Sequence, residues 1–167
     1  SPFSANFFNI ANNISCFLSV LAFSTPNFSA WAIKLSDDFV FSSLYGEENV
    51  EFAQITQQFI FEPSKLVVIT PEYNGSFPGV MKSFIDGWDP RKVSGKWVAL
   101  VGVSSGRQGN ARGMDDLTNI LNYLKINVIP VKPPLSQIFK LLNEEGDLID
   151  DVMNDLIRLQ LDLLLAK

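Results

Sequence analysis

The sequence predicts an α/β domain, a doubly wound parallel sheet held between helices in three layers. Residues 65–70 (KLVVIT) and 97–103 (WVALVGV) are short apolar runs rich in β-branched residues. The second is almost unbroken, as a parallel strand covered on both faces must be. Each run stops at a polar loop and leads into a segment with apolar residues at helical spacing. Such alternation along the 167 residues implies one wound sheet with right-handed crossovers. No repeat, low-complexity tract or linker interrupts it, so residues 1–167 are expected to form a single domain.

In chain order, Phe7, Ile10, Ala11, Ile14, Phe17, Leu18 and Leu21 recur at helical spacing, with Ser4 or Asn6 placed to cap the helix. A strand over residues 17–23 competes, because that run is apolar and a Ser-Thr-Pro-Asn turn follows it. Asn12, Asn13 and Ser15 are also weak helix formers. Residues 1–33 carry no charged side chain, and residues 14–23 imitate the core of a signal peptide. They lack a basic flank and a clean small-residue cleavage site, and they are too short to span a bilayer, so a buried helix is expected. Residues 28–35 read as a strand, 39–44 as extended chain and 49–61 as a helix. After the strand at 65–70 come a loop over 71–78 and a helix to about Gly87. After the strand at 97–103 come a loop over 104–110 and a helix over 112–124. Leu117, Ile120, Leu121 and Leu124 face inward on that helix, and Asp115 and Asp116 complement its N-terminal dipole. Residues 127–131 form a strand. Asp150 caps a last helix to Ala166 with Val152, Leu156, Leu159 and Leu163 as its apolar stripe. A wound sheet normally begins with a central strand. That strand is expected upstream of residue 1, with residues 1–4 as the loop that follows it.

The net charge of −5 and the pI near 4.6 argue against nucleic acid or an anionic membrane as partner. Histidine is absent, which removes the usual metal ligand and the usual near-neutral acid/base group; no metal site and no catalytic side chain are expected. Cys16 is the one cysteine, so no intramolecular disulfide forms, and a reducing cytoplasm is the expected compartment. The cysteine reads as inert core. Glu144, Glu145, Asp147, Asp150 and Asp151 read as a turn and a helix cap rather than a cation site.

The loop Pro71-Glu72-Tyr73-Asn74-Gly75-Ser76-Phe77-Pro78 is the most informative stretch. It lies at the carboxyl edge of the sheet, where open α/β folds bind ligands. Backbone groups freed at an Asn-Gly turn can hydrogen-bond a flat heterocycle, with the Tyr73 ring beside them. The natural candidate is a flavin. Ser104-Ser105-Gly106-Arg107-Gln108-Gly109-Asn110 stands at the equivalent place after the next strand. Residues 1–6 would form a third loop, where serine hydroxyls and a helix N-terminus suit a phosphate. Glu72 either orients its loop or is solvated. Arg107 and Arg112 either meet an anionic group, such as the 2′-phosphate of NADPH, or are surface arginines. Gly106-Arg107-Gln108-Gly109 is not a dinucleotide-binding fingerprint.

PEYNGSFPGVMKSFID, followed by SGKWVALVGVSSGRQGNARGMDDLTNILNYLKINVIP, resembles the NAD(P)H-dependent FMN reductase family, a flavodoxin-like group that includes quinone, azo-dye and chromate reductases. The likeness runs from about Asp38 to the C-terminus and weakly over residues 4–11. It implies that Ser4, Asn6 and Phe7 bind the FMN phosphate. It implies that Pro71, Glu72, Tyr73, Asn74 and Gly75 contact the isoalloxazine and ribityl parts, and that Ser104, Ser105, Gly106 and Arg107 pass beneath the pyrimidine side of the ring. It further implies a homodimer or homotetramer, with NAD(P)H as hydride donor and a quinone, azo compound or free flavin as small-molecule electron acceptor. The chain departs from the family in lacking the first strand and in carrying Asn and Ser on the polar face of its first helix. Two rivals to a reductase are a flavodoxin-like electron carrier and an interaction domain without flavin.

Overall fold

The computed structural model describes residues 19–23, 28–29 and 49–167. Its strands are β1 (Ser19–Phe23), β2 (Phe28–Ser29), β3 (Lys65–Pro71), β4 (Trp97–Val103), β5 (Asn127–Val128) and β6 (Pro134–Leu135). Its helices are α1 (Val50–Thr56), α2 (Gly79–Asp86), α3 (Pro90–Val93), α4 (Ala111–Tyr123) and α5 (Asp151–Leu165). A π-helical turn, Gln57–Phe61, continues α1, and a 3₁₀ turn, Ile138–Lys140, follows β6.

The sheet runs β2-β1-β3-β4-β5, with β6 also on β4. β3 and β4 are parallel over their full length, from Lys65↔Trp97 to Pro71↔Val103. Leu66, Val68, Val98 and Leu100 enter one core with Phe52, Met81, Phe84, Met114, Leu117 and Leu121 from α1, α2 and α4. Val67, Ile69, Ala99 and Val101 enter the other with Ile157, Leu161 and Leu164 from α5. This two-residue alternation between two buried faces makes the three layers and explains why both strands read as continuous apolar runs.

Two expectations change at this edge of the sheet. β1 lies where the sequence favoured a helix; the competing strand forms there, and the remainder of that expected helix lies outside the described residues. β1 pairs antiparallel with both β2 and β3, so the sheet is mixed rather than wholly parallel. Apolar periodicity carries no information on strand direction, and an antiparallel edge strand on a parallel sheet is common. Of the strand expected over residues 28–35, Phe28–Ser29 is described, and the extended chain over 39–44 lies outside the described residues.

The strand expected at 127–131 stops at Val128. The Ile129 N–H still donates to Val98 O, but the Val131 N–H, the next in the alternating ladder, makes no bond to β4, and pairing to β4 resumes only at Pro134. Gln160 of α5 sits in this interruption. Its fully buried Nε2 donates to Leu100 O on β4 and to Val131 O, each at 2.7 Å. The buried stripe of α5 is therefore Ile157, Gln160, Leu161 and Leu164, one position on from the predicted stripe; Val152 and Leu159 are exposed. Apolar residues occur around most of this helix, and the pair of carbonyls that Gln160 satisfies fixes which side turns inward.

Replacing Gln160 with Leu strands two buried carbonyls, and urea unfolding is expected to show a loss of about 1–3 kcal/mol. An unchanged midpoint would mean that water satisfies both carbonyls.

Candidate functional site

The parallel register ends β3 and β4 side by side, so the loops over residues 71–78 and 104–110 leave the same edge of the sheet. The first begins with the Glu72 N–H donating to Val103 O at 2.8 Å. It then closes a tight hairpin. The Tyr73 N–H donates to Ser76 O at 2.8 Å, and the Ser76 N–H donates back to Tyr73 O at 3.1 Å. Asn74 and Gly75 both take positive φ, 52° and 82°, as a type I′ turn requires. This is why Asn-Gly stands there. The Tyr73 side chain is exposed. The N–H groups of Asn74 and Gly75 have no hydrogen bond among the described residues, and nothing lies within 4 Å of where a Gly75 Cβ would stand.

The second loop is folded around Ser104. Its buried hydroxyl donates to Gly106 O and accepts from the Gly109 N–H, at 3.0 and 2.9 Å. Its backbone pairs with the segment after β6: the Ser104 N–H donates to Leu135 O, the Ile138 N–H to Ser104 O and the Gln137 N–H to Gly106 O. Between these ties Ser105, Gly106, Arg107 and Gln108 are exposed, and their four consecutive N–H groups have no partner among the described residues. A run of free N–H groups is a ready donor array for an electron-rich acceptor edge.

α4 joins the two loops. The Glu72 carboxylate accepts from the Asn110 N–H at 3.0 Å, which resolves the two readings of that glutamate: it orients the backbone. Ser76 Oγ donates to Asp116 Oδ2 at 2.8 Å. Asn110, buried at the entrance to α4 with φ 60°, donates through Nδ2 to Thr70 O and Pro71 O at 3.0 Å each. Gly113, on the first turn of α4, is the point of closest approach. A Cβ there would lie 2.7 Å from both Phe77 N and Ser76 C. Lys132 pairs with Asp115; the helix begins at Ala111, so Asp115 and Asp116 stand beyond its first turn, which holds no acid, and they do not complement its N-terminal dipole as expected.

The structure thus brings together Pro71, Glu72, Tyr73, Asn74, Gly75, Ser104, Ser105, Gly106 and Arg107 at one sheet edge. Ser4, Asn6 and Phe7 lie outside the described residues. Arg107 and Arg112 are both exposed. Asn110 was legible only as the last residue of the second loop, without a role, and Gly113 was not legible as a site residue. The only available signal for Asn110 was an asparagine just before a helix, which more often marks an ordinary cap.

A sequence profile described as NADPH-dependent FMN reductase matches residues 37–139. The chain belongs to the NADPH-dependent FMN reductase family. It is 38% identical over 106 residues to an NAD(P)H-dependent FMN reductase of Pseudomonas aeruginosa, covering 59% of this chain and 56% of the relative. It is 34% identical over 91 residues to a 2-hydroxy-1,4-benzoquinone reductase of a Burkholderia species, covering 52% and 50%. The chain therefore spans about half the length of the curated relatives it matches. Among solved structures, the flavoenzyme NAD(P)H:(acceptor) oxidoreductase FerB of Paracoccus denitrificans superposes with TM-score 0.59 at 23% identity, over 78% of this chain and 71% of that one. An apo NADH:FMN oxidoreductase superposes with TM-score 0.59 at 21% identity, over 79% and 67%. Both show a shared α/β fold.

Gly113→Ala forces α4 away from the loop and is expected to cost about 1–3 kcal/mol in urea unfolding. Gly106→Ala, where a Cβ meets nothing within 4 Å, is expected to stay within about 0.5 kcal/mol of the parent. Equal costs would contradict the close approach of α4 to the loop.

Proposed function

We propose that the chain, read as one domain over residues 1–167, is an FMN-dependent NAD(P)H oxidoreductase. The observation that carries this reading is the pair of loops at the ends of β3 and β4, braced through α4 and presenting unpaired N–H groups beside an exposed tyrosine. Family membership and the names of the two curated relatives support it.

The residues present fit the cofactor. The flavin ring is planar and carries carbonyl and ring-nitrogen acceptors along one edge. The second loop offers four consecutive N–H donors, and the first offers the N–H groups of Asn74 and Gly75. In this reading Pro71, Tyr73, Asn74 and Gly75 hold the ring and ribityl chain from one side. Ser105, Gly106 and Arg107 hold it from the other, and Ser104 fixes the shape of that second wall. Glu72 acts through Asn110 rather than on the cofactor. Ser4, Asn6 and Phe7 hold the phosphate. When bound, FMN supplies two-electron transfer between NAD(P)H and an acceptor such as a quinone, an azo compound or free flavin. The chain's part is to seat the ring, and to place fixed N–H dipoles where negative charge develops without reorganising at that moment. No side chain has to move a proton, which accommodates a chain without histidine. A homodimer or homotetramer in the cytoplasm completes the reading. Among the described residues no helix is long and apolar enough to cross a membrane.

FMN titrated into the protein is expected to lose fluorescence saturably, and anaerobic NADPH or NADH is expected to bleach the bound flavin band within seconds. Tyr73→Ala should raise the FMN Kd roughly 3- to 10-fold by removing an aromatic contact. A protein that stays colourless after incubation with FMN overturns the reading. One whose bound flavin stays oxidised for minutes is an electron carrier instead.

A further inference from the structure

We propose that Asn110 is the positioning residue of the candidate site, a single buried amide that pins the loop over residues 71–78 at both of its ends. Its place in α4 is unusual for a cap. The backbone is left-handed, and the side chain makes no capping bond to its own helix. Instead Nδ2 spends both of its hydrogens on the carbonyls of Thr70 and Pro71, where β3 gives way to the loop. Two carbonyl acceptors on one atom settle that this atom is the nitrogen and that Oδ1 points the other way.

Oδ1 is buried and has no hydrogen-bond partner. Its surroundings indicate what it serves. The point where a Gly113 Cβ would stand is 2.0 Å from Asn110 Oδ1 and 2.7 Å from Phe77 N. The Phe77 N–H donates to nothing among the described residues. A buried acceptor and an unpaired donor therefore lie beside the same point, which only a glycine at 113 leaves free of a Cβ. A small settling of the far end of the loop toward α4 closes the Phe77 N–H to Asn110 Oδ1 bond. The loop is then held by one side chain at its entry, through Thr70 and Pro71, and at its exit, through Phe77. The hairpin Tyr73–Ser76 stands between these two anchors. The Glu72 carboxylate holds the Asn110 N–H from inside the loop, which locks the left-handed backbone that aims the amide. Asparagine combines tolerance of that backbone with a donor on one side and an acceptor on the other. Glycine keeps the backbone and loses the pin. Aspartate keeps the shape and sets a carboxylate against two carbonyls.

The FMN-affinity arm of the test rests on the reading above; the loop-order arm stands without it. Asn110→Gly and Asn110→Asp are compared with the parent by hydrogen–deuterium exchange and by FMN titration. The Glu72, Tyr73 and Ser76 amides, all hydrogen-bonded in the loop, are expected to exchange on the order of tenfold faster in both variants, while β3 and β4 keep their protection. The FMN Kd is expected to rise by a similar factor, with a changed visible circular dichroism of the bound flavin. Unchanged exchange over residues 72–77 overturns the proposal. A parent protein that binds no FMN defeats the flavin reading and leaves the exchange comparison to decide this one. Should both variants fail to fold, the Phe77 amide of the parent decides: exchange at least about tenfold slower than at Asn74, whose N–H has no partner among the described residues, upholds the pin, and exchange as fast as at Asn74 removes it.

Discussion

The seven-residue parallel pairing of β3 with β4 is the constraint on which the candidate site depends. Because Lys65 lies opposite Trp97 and Pro71 opposite Val103, both strands end at one level, and the two loops must leave the sheet side by side. Were β3 displaced along β4, the Glu72 N–H would lose Val103 O and the Glu72 carboxylate would lose the Asn110 N–H. The register is secured from both sides. Leu66 and Val68 must meet the α2 and α4 side while Val67 and Ile69 meet α5, and a slip of one residue would exchange those faces. The helices on both faces thereby fix the site, through the alternation of four apolar side chains on each of two strands.

The far edge of β4 shows the same dependence on the helices. The neighbour strand leaves β4 after Ile129, and the sheet would carry an unsatisfied carbonyl at Leu100 without Gln160. A side-chain amide from α5 thus replaces a missing stretch of strand, and the carbonyl of Val131, on the segment that leaves the sheet, is tied to the same amide. That segment returns as β6 and carries Leu135, Gln137 and Ile138, whose backbones shape the Ser104 loop. The interruption therefore gives the second wall of the site a backing that an unbroken β5 would not.

These dependencies explain what the sequence could and could not reveal. β4 was legible residue for residue, because a strand buried on both faces must be apolar throughout. The helix after it was legible within one residue at each end, and the loop over 71–78 was legible through proline, Asn-Gly and an aromatic. The phase of α5 was not, because Ile157, Leu161 and Leu164 alternate with Leu156, Leu159 and Leu163, and a glutamine gave no sign of belonging inside. β5 was overextended because the apolar run continues through Ile129 and Val131 after the chain has left its pairing with β4. The roles of Asn110 and Gly113 were invisible for a different reason. Their importance lies in contacts with residues about 40 positions earlier, and no local pattern encodes that distance.

The chemistry available at the edge follows from this construction. Glu72 is engaged with a backbone N–H, and Asp116 is engaged with Ser76. Turned outward are Tyr73, Asn74, Ser105, Arg107 and Gln108, together with a set of peptide N–H groups. Peptide dipoles do not titrate, and here they are held by hydrogen bonds on both flanks, so they keep one orientation whatever the charge of the bound molecule. A site of that kind recognises shape and acceptor pattern, and it stabilises added electrons without offering a proton of its own. That character suits an electron-accepting heterocycle, which asks its protein for position and charge stabilisation while the cofactor carries the chemistry.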